Sequence, residues 1–160
     1  MSPRIETDPG AIVEVLARTP SILIPLLREF SPDALKLAPE PGRWSAHENA
    51  CHLTSFEGLF EGRLDQMLNE TNPTLENYEM DPADQEGALL DVDLDASLTR
   101  FAESRPRLVE RLRGLSPEQW ERAGRHAVFP KMNVFILFRH LALHDMIHTY
   151  RVEECLWRKP

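Results

Sequence analysis

The chain has 160 residues, with 26 acidic and 18 basic side chains, a formal charge of -8, 42% hydrophobic residues and 28% charged ones. That length suits a single domain with a core of its own, and the composition is that of a globular chain rather than a disordered one. The acidic balance argues against non-specific binding to nucleic acid or to an anionic membrane, both of which need a basic face.

The first predicted helix covers about residues 10–30, where Ile12, Val15, Leu16, Ile22, Leu23, Leu26, Leu27 and Phe30 recur at helical spacing. Thr19-Pro20 reads as a cap followed by a first-turn proline, so a break or restart is expected there, with a kink at Pro25. A proline-rich connector follows, with a short helical turn at Ser31-Pro32-Asp33. The second long helix starts at Ser45, where Ser45 and Glu48 match a capping box, and its apolar pattern runs to about Asn69.

Residues 70–94 form a long acidic connection without an apolar stripe. A loop of that length in a small domain is functional or crosses between non-adjacent elements. The third long helix spans about Asp95–Arg113, kinked at Pro106 and stopped at Gly114. A short helix begins at Ser116 and holds Trp120, and Gly124–Lys131 is expected to be a loop. The last helix runs from about Asn133, its cap, to Trp157. No alternating strand pattern of convincing length is found, so the reading is all-α: a four-helix bundle with a long crossover between the second and third helices, in one domain over residues 1–160.

The N-terminus lacks the apolar segment of a secretory signal, and no stretch is expected to reach the roughly 18 apolar residues of a membrane span. Cys51 and Cys155 are too few for a disulfide framework and fall in apolar helical patterns, which fits reduced thiols in a cytoplasmic protein.

His140, His144 and His148 recur every four residues on the last helix. Residues four apart differ by about 40° around a helix, so two such imidazoles can bind one metal ion. The drift over all three, about 80°, disfavours three ligands from this helix alone. Another ligand must come from elsewhere. On the second helix His52 lies beside Leu53 in the inward pattern, whereas His47 sits in the first turn and is expected to be exposed. These spacings leave open whether His140/His144 or His144/His148 is the pair.

Several pieces together resemble the DinB-like superfamily with its YfiT-type metal-dependent members. They are Pro-Gly-Arg-Trp-Ser at 41–45, Cys51-His-Leu-Thr-Ser-Phe-Glu57, Leu115-Ser-Pro-Glu-Gln-Trp120 and His144-Asp-Met-Ile-His148. The resemblance covers nearly the whole chain. It implies a bundle of unusual crossover topology and a metal site of His52, His144 and His148, with His140 as a neighbour. It also implies a divalent ion, zinc or nickel, and a homodimer; apolar surface on the first or last helix could provide the seam. The activity it implies is a thiol-dependent S-transferase using a low-molecular-weight cofactor such as bacillithiol or mycothiol, or a hydrolase, acting on a small molecule in stress or detoxification. A non-catalytic metal- or ligand-binding stress protein is the other class.

Three neutral histidines leave an ion with open positions, the pattern of catalytic rather than closed structural sites. Such an ion can activate water or a thiol. Asp145 is a candidate to orient His144, although it projects about 100° away and equally suits a surface or inter-subunit charge. Glu57 is read as a cap or salt-bridge residue, Arg151 as a solvated arginine that could face an anionic substrate, and Trp44 and Trp120 as packing anchors able to line a pocket. Cys51 and Cys155 are read as small buried hydrophobes that could approach the site.

The charge is unevenly placed. Ten acids and no lysine or arginine fall in residues 64–99, leaving the rest at +2. An acidic crossover overhanging the site would disfavour strongly anionic ligands.

Overall fold

The computed structural model describes residues 8–78 and 87–157. Helix α1 spans Pro9–Arg28 and the short α2 spans Pro32–Leu35. They are followed by α3 (Ala46–Ser55), α4 (Glu57–Asn69), α5 (Leu94–Arg113), the short α6 (Pro117–Trp120) and α7 (Val134–Trp157). The main helix contacts run from α1 to α7, α7 to α3, α3 to α5 and α5 back to α1. The first two long helices in sequence, α1 and α3, are therefore diagonal across the bundle, and so are the last two, α5 and α7. This arrangement requires long connections in place of tight hairpins. Of the crossover, residues 79–86, with four of its acids, lie outside the described residues, so the expected overhang does too.

Several local expectations hold. Ser45 and Glu48 make the reciprocal capping box, and Glu48 also accepts from the Gly87 amide, tying the end of the crossover to the start of α3. Asn133 caps α7 by accepting from Ile136 N at 2.8 Å. Others are corrected. Helix α1 is continuous through Pro20, where a break is expected; Asp8 caps it, and Thr19 instead donates back to Val15 O. Pro25 and Pro106 lie inside α1 and α5. The second long helix tightens at Phe56, dividing it into α3 and α4. There the hydroxyls of Thr54 and Ser55 bond the carbonyls of Cys51 and His52, a local competition that bends helices.

The expected loop at 124–131 is partly strand. Three short strands, β1 (Thr74–Leu75), β2 (Ala123–His126) and β3 (Met132–Asn133), form a strip in which β2 is parallel to β1 and antiparallel to β3. Two- and four-residue strands carry too little alternation to be read from sequence. Gly124 admits the close approach: a Cβ there would lie 3.2 Å from both Leu75 and Met67 side chains. By length and hydropathy α1 is also apolar enough to cross a membrane, contrary to the sequence expectation. Its Leu16, Leu23 and Leu27 are buried among the other helices.

The core is divided in two. One apolar cluster gathers Leu16, Phe60, Leu64, Leu108 and Phe138; the other gathers Leu23, Leu53, Leu98, Phe101 and Val152. Between them lies a polar layer drawn from four helices: Arg105 on α5, Glu57 on α4, Asp145 on α7 and the Leu16 carbonyl on α1. Arg105 is fully buried and makes five hydrogen bonds to these groups, including Nε to Glu57 Oε1 at 2.8 Å and Nη1 to Leu16 O at 3.1 Å. Pro20 explains the last bond. It has no N–H to give the carbonyl four residues back, so Leu16 O is left for Arg105. The Phe101 ring covers the guanidinium at 4.5 Å.

Removing the cation would strand two buried carboxylates. Arg105→Met is expected to lower unfolding free energy by about 3–5 kcal/mol in urea titrations. A loss below about 1 kcal/mol, the range of exposed pairs, would contradict this reading of the layer.

Candidate metal centre

Helix α3 projects His52 inward and α7 projects His144 and His148 toward it, so the three imidazoles meet beside the polar layer. His52 is 8% and His148 5% exposed. The Nε2 atoms of His52 and His144 lie 3.2 Å apart, and one nitrogen from each of the three rings falls within 4.8 Å of the others. Two ligands on a tetrahedral zinc ion with bonds of 2.0–2.1 Å would be about 3.3–3.4 Å apart. The first pair, within hydrogen-bond distance, is also close to the separation of two nitrogens sharing an ion.

The remaining polar atoms agree. His148 Nδ1 lies 2.9 Å from Asn49 Oδ1. The Asn49 amide is oriented by donating to Trp44 O and Ser45 O, at 3.2 and 2.9 Å. Its carbonyl oxygen thus accepts the His148 Nδ1 proton, leaving the Nε2 lone pair for a ligand. His144 Nδ1 is buried and has no hydrogen-bond partner among the described residues. Burial first, then the positive neighbours, including His52, hold His144 at a pKa of about 3. Burial and the adjacent His144 and His52 do the same to His148. Both rings are neutral at pH 7, as ligation requires. The donor set fits a divalent ion, and among the described residues it has no fourth protein ligand.

The surroundings are aromatic. Phe56, one turn after His52, packs at 4.7 Å from both His52 and His144, and Trp44 packs at 4.6 Å from His52. A cavity of about 560 Å³ opens onto His52 and His144, with His140 at its wall. His140 is exposed and outside the ligand group, so the structure favours the His144/His148 pair.

Other candidates fall elsewhere. Asp145 does not orient His144 and is not on the surface: it is fully buried and paired to Arg105. Glu57 is the salt-bridge residue expected, again to Arg105. Burial lifts the pKa of both carboxyls, which share a single cation. His47 is buried rather than exposed, 3.0 Å from Val92 O. Trp120 packs edge-on against Phe138 in the core. Burial raises the Cys51 thiol to about 11, which makes it a protonated filler. Cys155 contacts Trp44 O and, with the exposed Arg151, lines a separate groove. Asn49 was not foreseen. Its signal is its position one turn before His52 on the same helix, with a side chain able to accept from a ring N–H.

The lowered pKa values have a measurable consequence. Between pH 6.5 and 3 the unfolded chain binds protons that the folded site refuses, so stability present above pH 6.5 is lost as pH falls. Each histidine contributes at most about 1.4 kcal/mol per pH unit. For metal-free protein, the urea midpoint should fall more steeply below pH 6.5 than that of His144→Gln/His148→Gln. Equal slopes would contradict the burial of these rings as neutral groups.

The DinB superfamily profile matches residues 16–150. No curated protein sequence matches the chain. Among solved structures, YfiT from Bacillus subtilis, described as a probable metal-dependent hydrolase with an unusual four-helix bundle topology, superposes with a TM-score of 0.84. The match covers 97% of this chain and 91% of that one at 19% identity, and so shows a shared fold. With a profile spanning most of its length, a diagonal four-helix arrangement and histidines contributed by α3 and α7, the chain belongs to the DinB superfamily.

Proposed function

We propose that the protein is a divalent-metal-dependent hydrolase of a small molecule, with zinc as the ion and nickel as the alternative. The observation that carries this reading is the convergence of three histidines, two of them lining a 560 Å³ cavity, without a fourth protein ligand among the described residues. The ion would be held by His52, His144 and His148, and when bound it supplies Lewis acidity that lowers the pKa of water or a thiol and polarises a carbonyl. The chain's own residues do the positioning. Asn49 fixes the tautomer of His148, Phe56 and Trp44 shield the imidazoles from bulk water, and the Arg105 layer holds α4 against α7. Water is favoured over a low-molecular-weight thiol as nucleophile because YfiT is described as a probable hydrolase. Cys51 and Cys155, neither of them in a disulfide, fit a cytoplasmic setting.

A homodimer belongs to the same proposal. On α7, Leu143, Met146, Ile147 and Tyr150 are between 47% and 64% exposed, and Ile22 on the adjacent α1 is 55% exposed. A contiguous apolar strip of this kind suits a self-complementary helix–helix seam.

Untagged protein should carry close to one divalent ion per chain by elemental mass spectrometry, and His144→Ala should lose it. Asn49→Ala should weaken metal affinity about 10- to 100-fold without unfolding the bundle. Hydrolysis of an ester and amide panel should disappear with chelator and return with zinc or nickel. Turnover that instead depends on bacillithiol or mycothiol would favour the transferase, and metal binding without turnover would favour a non-catalytic binder. Unchanged metal content in His144→Ala would contradict the assignment of the site. Light scattering should give twice the 18.4 kDa chain mass, and Met146→Glu should reduce it to the monomer. A wild-type monomer would remove the dimer from the proposal.

A further inference from the structure

The cavity that reaches His52 and His144 has a character unlike the rest of this acidic chain. No aspartate or glutamate is among its described lining residues, whereas Arg63, His126 and His140 are. Arg63 is 8% exposed and is held from behind: its Nη2 donates to Glu76 O at 2.6 Å, and its Cζ lies 5.9 Å from the Phe60 ring centre. No carboxylate among the described residues pairs with it, in contrast to the fully paired Arg105.

Two imidazoles share the wall. The Phe129 ring stands between them, at 5.2 Å from His126 and 5.4 Å from His140. His126 accepts from Val128 N through Nδ1, so its proton resides on Nε2 as a donor. Partial burial first, and then the Arg63 guanidinium, lower the pKa of both rings, which places the three groups in one electrostatic neighbourhood and leaves the histidines neutral. The wall thus offers one full positive charge and neutral donors. Apart from Asn77 and the Tyr78 hydroxyl, the rest of the lining is apolar and includes Phe56, Leu59, Phe60, Met132 and Leu137. At about 560 Å³ the space lies in the range that encloses a small organic ligand.

A buried guanidinium is costly unless an anion compensates it, and its planar fork matches a carboxylate. One cation with neutral donors suits a monoanion better than a phosphate dianion. We propose that this cavity is the substrate pocket of the metal site, that it takes a monocarboxylate with an aromatic or branched apolar body, and that Arg63 recognises the carboxylate. This rests on the metal-centre reading above. In that arrangement the body lies against Phe56 and Phe60, and its far end reaches the histidine cluster. Arg63 is then a specificity-determining residue, separate from the ligands.

The test compares benzoate, 3-phenylpropanoate and 4-phenylbutanoate with the corresponding neutral amides, by calorimetry on the full chain, both metal-loaded and chelator-stripped. Wild type should bind at least one acid about tenfold or more tightly than its amide in both forms, because a charge-assisted bond is lost in the amide. Arg63→Gln should abolish that preference while leaving metal content and urea midpoint unchanged, and Arg63→Lys should keep part of it. Equal binding of acids and amides, or no saturable binding of any acid, would overturn the proposal. So would a preference that vanishes on stripping and survives Arg63→Gln, since the ion alone would then hold the carboxylate. Because the preference is read in stripped protein as well, a failure of the metal reading shows separately, as absent metal with Arg63-dependent discrimination intact.

Discussion

The bundle is organised around the fully buried guanidinium of Arg105. Arg105 projects from α5, and three other helices each supply it with an acceptor: Glu57 from α4, Asp145 from α7 and the Leu16 carbonyl from α1. A guanidinium has five N–H donors, and all are used. The two apolar clusters on either side exclude water, so a sliding helix would leave a charge or a carbonyl unpaired at a cost of several kcal/mol. Apolar contacts tolerate small shifts; this layer does not. It specifies register in a fold whose neighbouring helices are not joined by short loops.

That register is what the histidines need. Asp145 and His144 are consecutive on α7, and Glu57 follows His52 across the tightened turn at Phe56. Fixing the two carboxylates on Arg105 fixes α7 and the start of α4, which follows directly on α3, and α3 and α7 bring the imidazole nitrogens to 3.2 Å. A second constraint reaches the site from the start of α3. The capping box sets the first turn, whose carbonyls orient Asn49, and Asn49 sets the tautomer of His148.

Much of this was legible in the sequence, for identifiable reasons. The four long helices follow from apolar periodicity, and the starts at Ser45 and Asn133 follow from capping chemistry. His144 and His148 share a face by spacing, and His52 lies in an apolar pattern; choosing that set over His140 came from the resemblance to the superfamily. What escaped is non-local. Asp145 seemed misdirected as a partner of His144 because its partner, Arg105, is 40 residues away on another helix. Pro20 suggested a break in α1, yet its missing N–H leaves a carbonyl that Arg105 uses from 85 residues on. The strand strip has too few residues to show alternation, and His47 is buried by Val92, at the far end of a crossover whose path no local pattern gives.

The central claim is that His52, His144 and His148 hold one divalent ion, with coordination positions left for substrate. An anomalous-difference map from crystals of untagged protein, collected above and below the zinc and nickel absorption edges, tests it directly. The account predicts one peak about 2.0–2.1 Å from a nitrogen of each of the three rings, with non-protein density completing the shell. Imidazoles hydrogen-bonded to water or protein groups around no anomalous peak, or a fourth protein ligand closing the shell, would contradict it.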